Sequence, residues 1–318
     1  MPKVSVIIPA FNCMTYLPIA INSVLDQTFR DWEVIIVNDG STDNIETWFS
    51  TLDNPNIQLI NQLNQGSAVA RNTGLSHASG EYIAFLDADD IWVSSKLEEQ
   101  VNVLDQEPKV GLVYSWVGSI DAEGNIKGKT RKNSYSGNVF KDIAKHDILE
   151  CGSTPMIRRS CFDTVGIFDP ALAYAQVWDM WIRIAAKFQF QVIEKTLIYY
   201  RYHLENYSKN WHRIEENCSL IIEKNLSNLP PDLQFLKQQA YSLTYLRIAW
   251  KILKDKKAVV DEVVEYRAKA IKSFPKSRFS NENIRLTIAI LLVRMVGFDS
   301  YEAIRGFLYT FKNSASNS

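Results

Sequence analysis

The chain has 318 residues, of which 46% are apolar and 22% are charged. A chain of this length and apolar content buries a full hydrophobic core, which excludes a disordered protein. Its formal net charge of −1 argues against a general nucleic-acid binder, because binding through counterion release needs a dominant basic face.

Four strand-then-helix units are predicted in the first hundred residues. Continuous apolar, largely β-branched runs at residues 4–9, 32–37, 57–60 and 82–86 are typical of strands covered on both faces. Helical patterns alternate with these runs, so the order predicts an α/β domain with a largely parallel sheet. The first run is too short for a signal peptide or a membrane-spanning helix.

Each predicted strand ends in residues that can bind a ligand. In chain order these are Phe11-Asn12, Asp39, Asn64 to Gly66, and Asp87 to Asp90. In open α/β sheets, ligands bind beyond the carboxyl ends of the strands. We therefore expect these segments to share one crevice, although up to about 80 residues separate them.

The fourth strand runs into three carboxylates, those of Asp87, Asp89 and Asp90. Like charges this close repel one another, so such a cluster is tolerated mainly when it is solvated or bound to a cation. An acidic turn that caps the helix starting near Ser94 is the alternative. A calcium loop of the EF-hand type is disfavoured because the sixth position lacks glycine. A dinucleotide oxidoreductase is disfavoured because no G-x-G-x-x-G follows the first strand.

The second part of the chain changes character twice. A strand at 111–120, a turn at 121–125, a helix at 177–187 and a strand at 192–200 extend the α/β pattern. Beyond about residue 205 the pattern becomes helical and amphipathic, with helices predicted at 236–253 and 258–273. The apolar segment 284–298 predicts a buried helix, with an interfacial membrane helix as the alternative. The predicted domains are 1–208 and 209–318.

The cysteines do not follow a metal-binding or disulfide pattern. Cys13, Cys151, Cys161 and Cys218 lack C-x-x-C spacing, so neither a zinc ribbon nor a disulfide framework is predicted. A reducing cytoplasm is the expected location, and the inner face of the membrane is the alternative.

Seven segments, taken together and in this order, carry a family resemblance. They are VSVIIPAFN at 4–12, VNDGSTD at 37–43, NQGSAVARNTG at 64–74, FLDADD at 85–90, GIFD at 166–169, WDMWIR at 178–183 and YRYH at 200–203. Residues 2 to 208 resemble the family-2 glycosyltransferases of the GT-A fold, which are inverting nucleotide-sugar transferases. The helical tail lies outside the resemblance.

The resemblance implies a nucleotide-diphosphate sugar donor, UDP-linked, and a glycan, lipid-linked or other acceptor, with no nucleic-acid partner. It implies a divalent metal, Mn or Mg, held by Asp89 and His203. The residues implied to contact the nucleotide are Pro9, Ala10, Phe11, Asn12, Asp39, Asn64, Gly66, Arg71, Asp87 and Ala88. Among these, Pro9, Phe11 and Asp39 would hold the base, and Asp87 would hold the ribose.

The chain departs from the family pattern where the general base is expected. The family usually has Glu-Asp before the WDMWIR segment, whereas this chain has Gln176 and Val177. Inversion needs a group that takes the acceptor proton, and valine cannot accept one. Asp179 is one candidate replacement, although an acid in the first helical turn is favoured by the helix dipole in any case. Another segment can also supply the base, and the candidates are Glu150, Asp169 and Glu205.

The absence of the expected base is also compatible with a protein that is not an enzyme. A nucleotide-sugar-binding homologue that partners or scaffolds an active transferase would keep the binding residues and lose the base. For the helical tail, a bundle packed on the catalytic domain is expected. An acceptor-docking, homo-oligomerising or peripheral membrane module is the alternative.

Overall fold

A computed structural model describes residues 1–128, 130–203, 211–254 and 260–301, together with residues 303 and 305. The chain divides into two compact units, Met1–Tyr207 and Ser208–Ser318. Glu205, one of the candidate bases, lies outside the described residues.

Eight strands of the described residues form one sheet in the first unit. They are β1 Val4–Ala10, β2 Trp32–Asp39, β3 Ile57–Gln62, β4 Tyr82–Phe85, β5 Ile91–Trp92, β6 Val110–Ile120, β7 Met156–Arg158 and β8 Gln189–Arg201. Their order across the sheet is β3-β2-β1-β4-β7-β6-β8-β5. β3, β2, β1 and β4 are parallel, and β8 is parallel to β6. β7 and β5 run antiparallel to their neighbours. The mixed, mostly parallel sheet that was predicted is confirmed.

Seven helices of the described residues belong to the same unit. They are α1 Leu17–Leu25, α2 Ile45–Phe49, α3 Ser67–His77, α4 Lys96–Gln106, α5 Phe140–Ile143, α6 Arg159–Val165 and α7 Gln176–Ala185. β1 is almost wholly buried, which explains its continuous apolar run. Gly74 brings α3 onto this strand, since a Cβ there would lie 2.3 Å from Ile7 Cγ2. Close packing therefore sets the position of α3 above the parallel strands.

The second unit is helical in its described residues. Its helices are α8 Trp211–Leu226, α9 Phe235–Leu253, α10 Val260–Ser273 and α11 Asn281–Val296. Leu236, Leu246, Val263 and Tyr266 are buried between them, and the Tyr266 hydroxyl donates to Glu215 at 2.6 Å. Ser280 caps α11 by accepting from the Asn283 amide.

Helix α11 is buried on one face only. Leu286, Ala289, Ile290 and Val293 are in the core. The spacing of i, i+4, i+7 and i+11 puts a second apolar set, Ile284, Ile288, Leu291 and Met295, on one exposed face. The prediction of a buried helix over 284–298 is therefore right for one face and wrong for the other.

In the described ranges, no helix combines the length and apolar content needed to cross a bilayer.

Candidate active site

The loops after β1 and β2 are joined through Asn12. Its Oδ1 accepts from the Thr42 amide at 2.7 Å, and its own amide donates to Ser41 Oγ at 3.0 Å. Asn12 adopts a φ of 48°, a left-handed conformation that asparagine tolerates better than most residues. The neighbouring Phe11 ring is 52% exposed. An aromatic face is thus presented beside a fixed turn at the carboxyl end of β1.

Pro9 and Ala10, also predicted to contact the nucleotide, belong to β1 itself. The Ala10 side chain is buried, as is that of Ala88 beyond β4. Contacts from Ala10 and Ala88 to a nucleotide would therefore come from the backbone.

Asp39 fixes the loop that leads into α3. Its Oδ1 accepts from Gln62 Nε2 at 2.7 Å and from the Gln65 amide at 2.9 Å, while Oδ2 accepts from the Gly66 amide at 2.8 Å. An ionised carboxylate offers about four acceptor positions. Three donors from the protein therefore leave one position of Asp39 for a ligand.

Asn64 and Gly66, both exposed, lie in the loop that Asp39 holds, and Gly66 is the residue immediately before α3. Gly40 lets this loop approach, because a Cβ there would lie 2.7 Å from the Asn64 nitrogen. The Gly40 φ of 74° also favours glycine. The polar ends of β2 and β3 are therefore tied together directly before the N-terminus of α3.

Arg71 and Asp87 form a short ion pair between α3 and the end of β4. Arg71 Nη2 lies 2.5 Å from Asp87 Oδ1, and only 5% of the arginine side chain is exposed. The ring of Phe168 lies 5.9 Å from the guanidinium carbon. The buried Arg71 Nε has no hydrogen-bond partner among the described residues. Because a buried donor without a partner is costly, this arginine is suited to receive an anionic ligand.

Asp89 contacts a histidine that follows β8, although β7 and β6 lie between β4 and β8 in the sheet. Asp89 Oδ2 and His203 Nε2 lie 2.8 Å apart, and the Tyr16 ring lies 5.1 Å from the His203 ring. Burial raises the pKa of Asp89, and the charge of Asp87 raises it further, against the lowering effect of His203. β8 thus delivers His203 to the acidic cluster, and residues more than a hundred positions apart meet.

Asp90 is the innermost member of the acidic cluster and is fully buried. Its Oδ2 accepts from Ser153 Oγ at 2.6 Å and from Cys151 Sγ at 3.2 Å, and its Oδ1 accepts from the Arg201 amide at 3.1 Å. Burial raises the pKa of Asp90 well above its ordinary value, with further contributions from the charges of Asp89 and Asp87. This carboxyl group anchors the cluster to the rest of the sheet.

Three of the residues that hold the cluster were not among the predicted site residues. Ser153 also accepts from the Asp87 amide at 2.9 Å. The buried Arg201 donates from Nε to the Asp89 carbonyl at 2.8 Å. Gly152 lies against Asp87, since a Cβ there would be 3.4 Å from Asp87 Oδ2. The position of Arg201 in the YRYH segment was the available sequence signal, whereas nothing in the sequence marked Gly152 and Ser153.

The donor set fits the divalent metal that the resemblance implies. A carboxylate and an imidazole, completed by phosphate oxygens, suit Mn²⁺, and the carboxylate suits Mg²⁺. Burial is the largest cause of the raised pKa values of Asp89 and Asp90, and the neighbouring carboxylates add to it. A bound cation would favour the ionised forms of these groups.

A second donor set lies nearby. Ligand atoms of Asp87, Asp90 and Cys151 lie within 4.8 Å of one another. However, the Cys151 thiol donates to Asp90, and burial raises its pKa well above the ordinary value. A metal binds the thiolate, and thiolates suit softer metals than Mg²⁺ or Mn²⁺. Asp89 and His203 therefore remain the better candidates.

The Gln176-Val177 pair lies at this same edge of the sheet. Gln176 Nε2 donates to Ser67 Oγ, in the first turn of α3, at 2.7 Å. A Cβ placed on Gly152 would lie 3.4 Å from Val177 Cγ1 and also 3.4 Å from Asp87 Oδ2. The valine, which stands at the sequence position where the family pattern has an acid, therefore lies close to Asp87.

Asp179, the candidate replacement, is engaged elsewhere. It is fully buried, and its Oδ2 accepts from Arg183 Nη2 at 2.8 Å and Nε at 3.0 Å. Arg183 also donates to the Val165 and Ile167 carbonyls. These contacts are those of a structural ion pair that fixes α7 to the end of α6, and they argue against a role for Asp179 as the base.

A family model described as Glycosyl transferase family 2 matches residues 5–166, half of the chain. The chain belongs to glycosyl transferase family 2. The predicted glycosyltransferase identity is confirmed at this level. The matched stretch includes Asp39, Arg71 and Asp87 to Asp90 and ends before Gln176 and Val177.

Curated relatives share the first part of the chain. An uncharacterized glycosyltransferase of Rickettsia felis is 33% identical over 233 residues, which is 72% of this chain and 39% of that protein. This chain therefore spans about two fifths of that relative's length. The Escherichia coli protein WfgD, a UDP-Glc:alpha-D-GlcNAc-diphosphoundecaprenol beta-1,3-glucosyltransferase, is 42% identical over 102 residues, which is 32% of this chain and 40% of WfgD.

A solved glycosyltransferase shares the fold. The mannosyltransferase PcManGT of Pyrobaculum calidifontis, solved in complex with GDP-Man and Mn²⁺, aligns with a TM-score of 0.62 at 19% identity. The alignment covers 97% of this chain and 85% of PcManGT. The predicted GT-A architecture followed by a helical region is confirmed.

Proposed function

We propose that this family-2 glycosyltransferase moves a sugar from a nucleoside-diphosphate donor, UDP-linked, to an acceptor hydroxyl with inversion at the anomeric carbon. The observation that carries the proposal is the position of the buried Arg71 beside the acidic cluster. A guanidinium with a free donor suits a diphosphate, and Asp89 with His203 suits the cation that accompanies one.

The remaining predicted residues have separate roles in this proposal. Phe11 offers a half-exposed face on which a base can stack. Asp39 has one acceptor position left for an N–H of the nucleobase. Its carboxylate also accepts from the Gln65 and Gly66 amides, which fixes the loop that contains Asn64 and Gly66. The Asp87 carboxylate is 28% exposed, and its second oxygen, which accepts no hydrogen bond from the described residues, can accept from a ribose hydroxyl.

The bound Mn²⁺ or Mg²⁺ would neutralise the charge that builds on the departing diphosphate. Asp89 and His203 would hold it. Asp90 keeps Asp87 and Asp89 in position through Ser153 and the Arg201 amide. The protein's own contribution is thus to bind the donor and to fix the direction in which the leaving group departs.

The test is a turnover assay with UDP-glucose, UDP-GlcNAc and GDP-mannose in the presence of Mn²⁺ or Mg²⁺. We expect metal-dependent release of the nucleoside diphosphate from at least one UDP-linked donor. Arg71→Met should weaken UDP binding by about 10-fold or more, because one charge-assisted contact is worth about 1.5–3 kcal/mol. If no nucleoside diphosphate binds with or without metal, the proposal is wrong.

A nucleotide-sugar-binding partner without turnover is the second candidate function. Val177 at the expected position of the base favours it. This candidate predicts that UDP binds with metal but that no donor is hydrolysed or transferred, even at high protein concentration.

For the helical unit we propose a contact with a membrane surface. The exposed apolar face of α11, formed by Ile284, Ile288, Leu291 and Met295, supports the proposal, and the exposed Arg285 and Arg294 beside it suit anionic lipid. A lipid-linked acceptor and a location at the inner face of the membrane are part of the proposal. A homo-oligomer formed through this face is the alternative.

A further inference from the structure

We infer that Glu150 takes the acceptor proton in this chain, in the role that the family pattern assigns to the residue at Val177. This inference rests on the proposed function and names a residue for its missing step.

Among the described residues, the other candidate carboxylates at this edge of the sheet make closer contacts with the protein than Glu150 does. Their partners are Gln62, Gln65 and Gly66 for Asp39, Arg71 for Asp87, His203 for Asp89, Ser153, Cys151 and Arg201 for Asp90, and Arg183 for Asp179. Asp169 accepts from the Ala171 amide at 3.0 Å. Glu150 differs, because its side chain is 37% exposed and its carboxylate has one long contact, 3.5 Å from Arg131 Nη1.

The chain that follows Glu150 runs directly beneath the acidic cluster. Cys151 donates to Asp90, Gly152 lies against Asp87, and Ser153 bridges Asp90 and the Asp87 amide. Val177 lies against the same Gly152. Glu150 therefore lies two residues before the glycine that is packed between Asp87 and Val177.

The backbone at Glu150 is held in an unfavourable conformation. Its φ is 69°, a conformation that is unfavourable for a non-glycine residue and persists only where the surroundings impose it. On one side of Glu150 the chain is fixed by the buried Cys151 and Ser153, which both donate to Asp90. From the other side, Arg131 Nη1 donates to the Glu150 carbonyl at 3.3 Å. Strain of this kind concentrates at functional sites, so it gives an observation independent of the carboxylate's exposure.

Arg131 links Glu150 to Tyr200 and Tyr202, which lie at the end of β8 next to His203. Its guanidinium lies 5.3 Å from the Tyr200 ring and 5.6 Å from the Tyr202 ring, and Nη2 donates to the Tyr202 hydroxyl. Tyr202 is 52% exposed and directly precedes His203. An exposed aromatic face can stack on a sugar ring, so an acceptor seated on Tyr202 would lie beside the Glu150 carboxylate.

The step balances as follows. The acceptor hydroxyl oxygen forms a bond to the anomeric carbon, and its proton passes to the Glu150 carboxylate. The bond from the anomeric carbon to the diphosphate oxygen breaks, and its electron pair leaves with the nucleoside diphosphate. With water as acceptor the same step is hydrolysis of the donor, so a test does not require the natural acceptor.

The experiment measures hydrolysis of UDP-glucose, UDP-GlcNAc and GDP-mannose with Mn²⁺, together with the calorimetric affinity for UDP and Mn²⁺. Glu150→Gln keeps the shape and the backbone conformation and removes only the proton acceptor. We expect hydrolysis to fall by about 10²- to 10⁴-fold, with UDP affinity unchanged. Adding Val177→Asp to Glu150→Gln should restore at least part of the rate. Glu123→Gln, an exposed glutamate in the 121–125 turn, is the matched control.

Wild-type hydrolysis in Glu150→Gln would overturn the inference. A loss of UDP affinity as large as the loss of hydrolysis rate would also overturn it, because that result would assign Glu150 a structural role. Neither outcome touches the proposed function, which instead fails if the unmodified protein binds no nucleoside diphosphate.

Discussion

Val177 and Asp87 meet at one glycine: a Cβ placed on Gly152 would lie 3.4 Å from Val177 Cγ1 and 3.4 Å from Asp87 Oδ2. Val177, which stands where the family pattern has an acid, is therefore beside Asp87, the carboxylate proposed to bind the donor. The Val177 side chain cannot accept a proton, so this position lacks the acid that the family pattern has there.

Restoring the family pattern should accelerate the reaction. We predict that Val177→Asp with Gln176→Glu raises donor hydrolysis by about 10-fold or more in the Glu150→Gln background, since a positioned base typically contributes about 10²- to 10⁴-fold. The same double replacement should raise the rate by a smaller factor in wild type, where Glu150 already takes the proton. Steady-state release of the nucleoside diphosphate measures the change. Val177→Asn with Gln176→Glu is the control, because it adds polarity without a base. A double mutant no faster than wild type, together with loss of activity in Asp179→Asn, would refute the missing-base argument.

The Asp179–Arg183 pair should matter for stability. Removing Arg183 leaves a fully buried carboxylate without its cation, and breaking a buried pair in this way costs about 3–5 kcal/mol. We predict that Arg183→Met lowers the free energy of unfolding in urea by about this amount. Asp179→Asn should cost less and should retain donor hydrolysis. Full stability in Arg183→Met would show that the pair is not needed to fix α7.

A further stability prediction concerns Glu33, at the other end of the sheet. Burial alone would raise its pKa, but hydrogen bonds from Ser5 Oγ and from the Ser79 amide and hydroxyl outweigh it and lower the pKa. A carboxylate with a lowered folded pKa contributes stability that is present above its unfolded pKa, about 4.3, and is lost as pH falls through the folded value.

We therefore predict that Glu33→Gln destabilises the protein by about 1–2 kcal/mol at pH 7. The difference from wild type should shrink below about pH 4. Urea unfolding between pH 3 and 7 measures it. A difference that stays constant over that range would contradict the role of the ionised carboxylate.

The strand-end rule correctly predicted which loops lie at one edge of the sheet. Because β1, β2, β3 and β4 are parallel, Asn12, Asp39, Gly66 and Asp87 had to lie at one edge whatever the exact register. His203 was assigned to the metal through the family resemblance, and β8 brings it to Asp89.

Contacts between distant segments were not predictable in the same way. β5 is only two residues long, too short for a periodic pattern, and it directly follows the acidic cluster. The i,i+4 spacing of Asp179 and Arg183 indicates an ion pair, but its burial depends on α6. Ser153 holds Asp90 through a tertiary contact that carries no local signal. The YRYH segment marked the position of Arg201 but not its contact with Asp90.

The exposed face of α11 gives a prediction about the second unit. We expect the full chain to bind vesicles that contain anionic lipid and to bind them less well when Ile288 and Leu291 are both replaced by Gln. Both residues are 53% exposed, so thermal stability should not change. Vesicle cosedimentation measures the binding. Thr287→Gln, a half-buried polar position on the same helix, is the control. Equal binding by the double variant would contradict a membrane contact through this face.

The most direct test of the donor site is calorimetric titration of UDP into wild type and Asp89→Ala, each with and without Mn²⁺. The proposed site predicts that Mn²⁺ strengthens UDP binding to wild type and that Asp89→Ala loses this enhancement while keeping the weaker metal-free binding through Arg71. An Asp89→Ala protein that binds UDP with Mn²⁺ as tightly as wild type would contradict it.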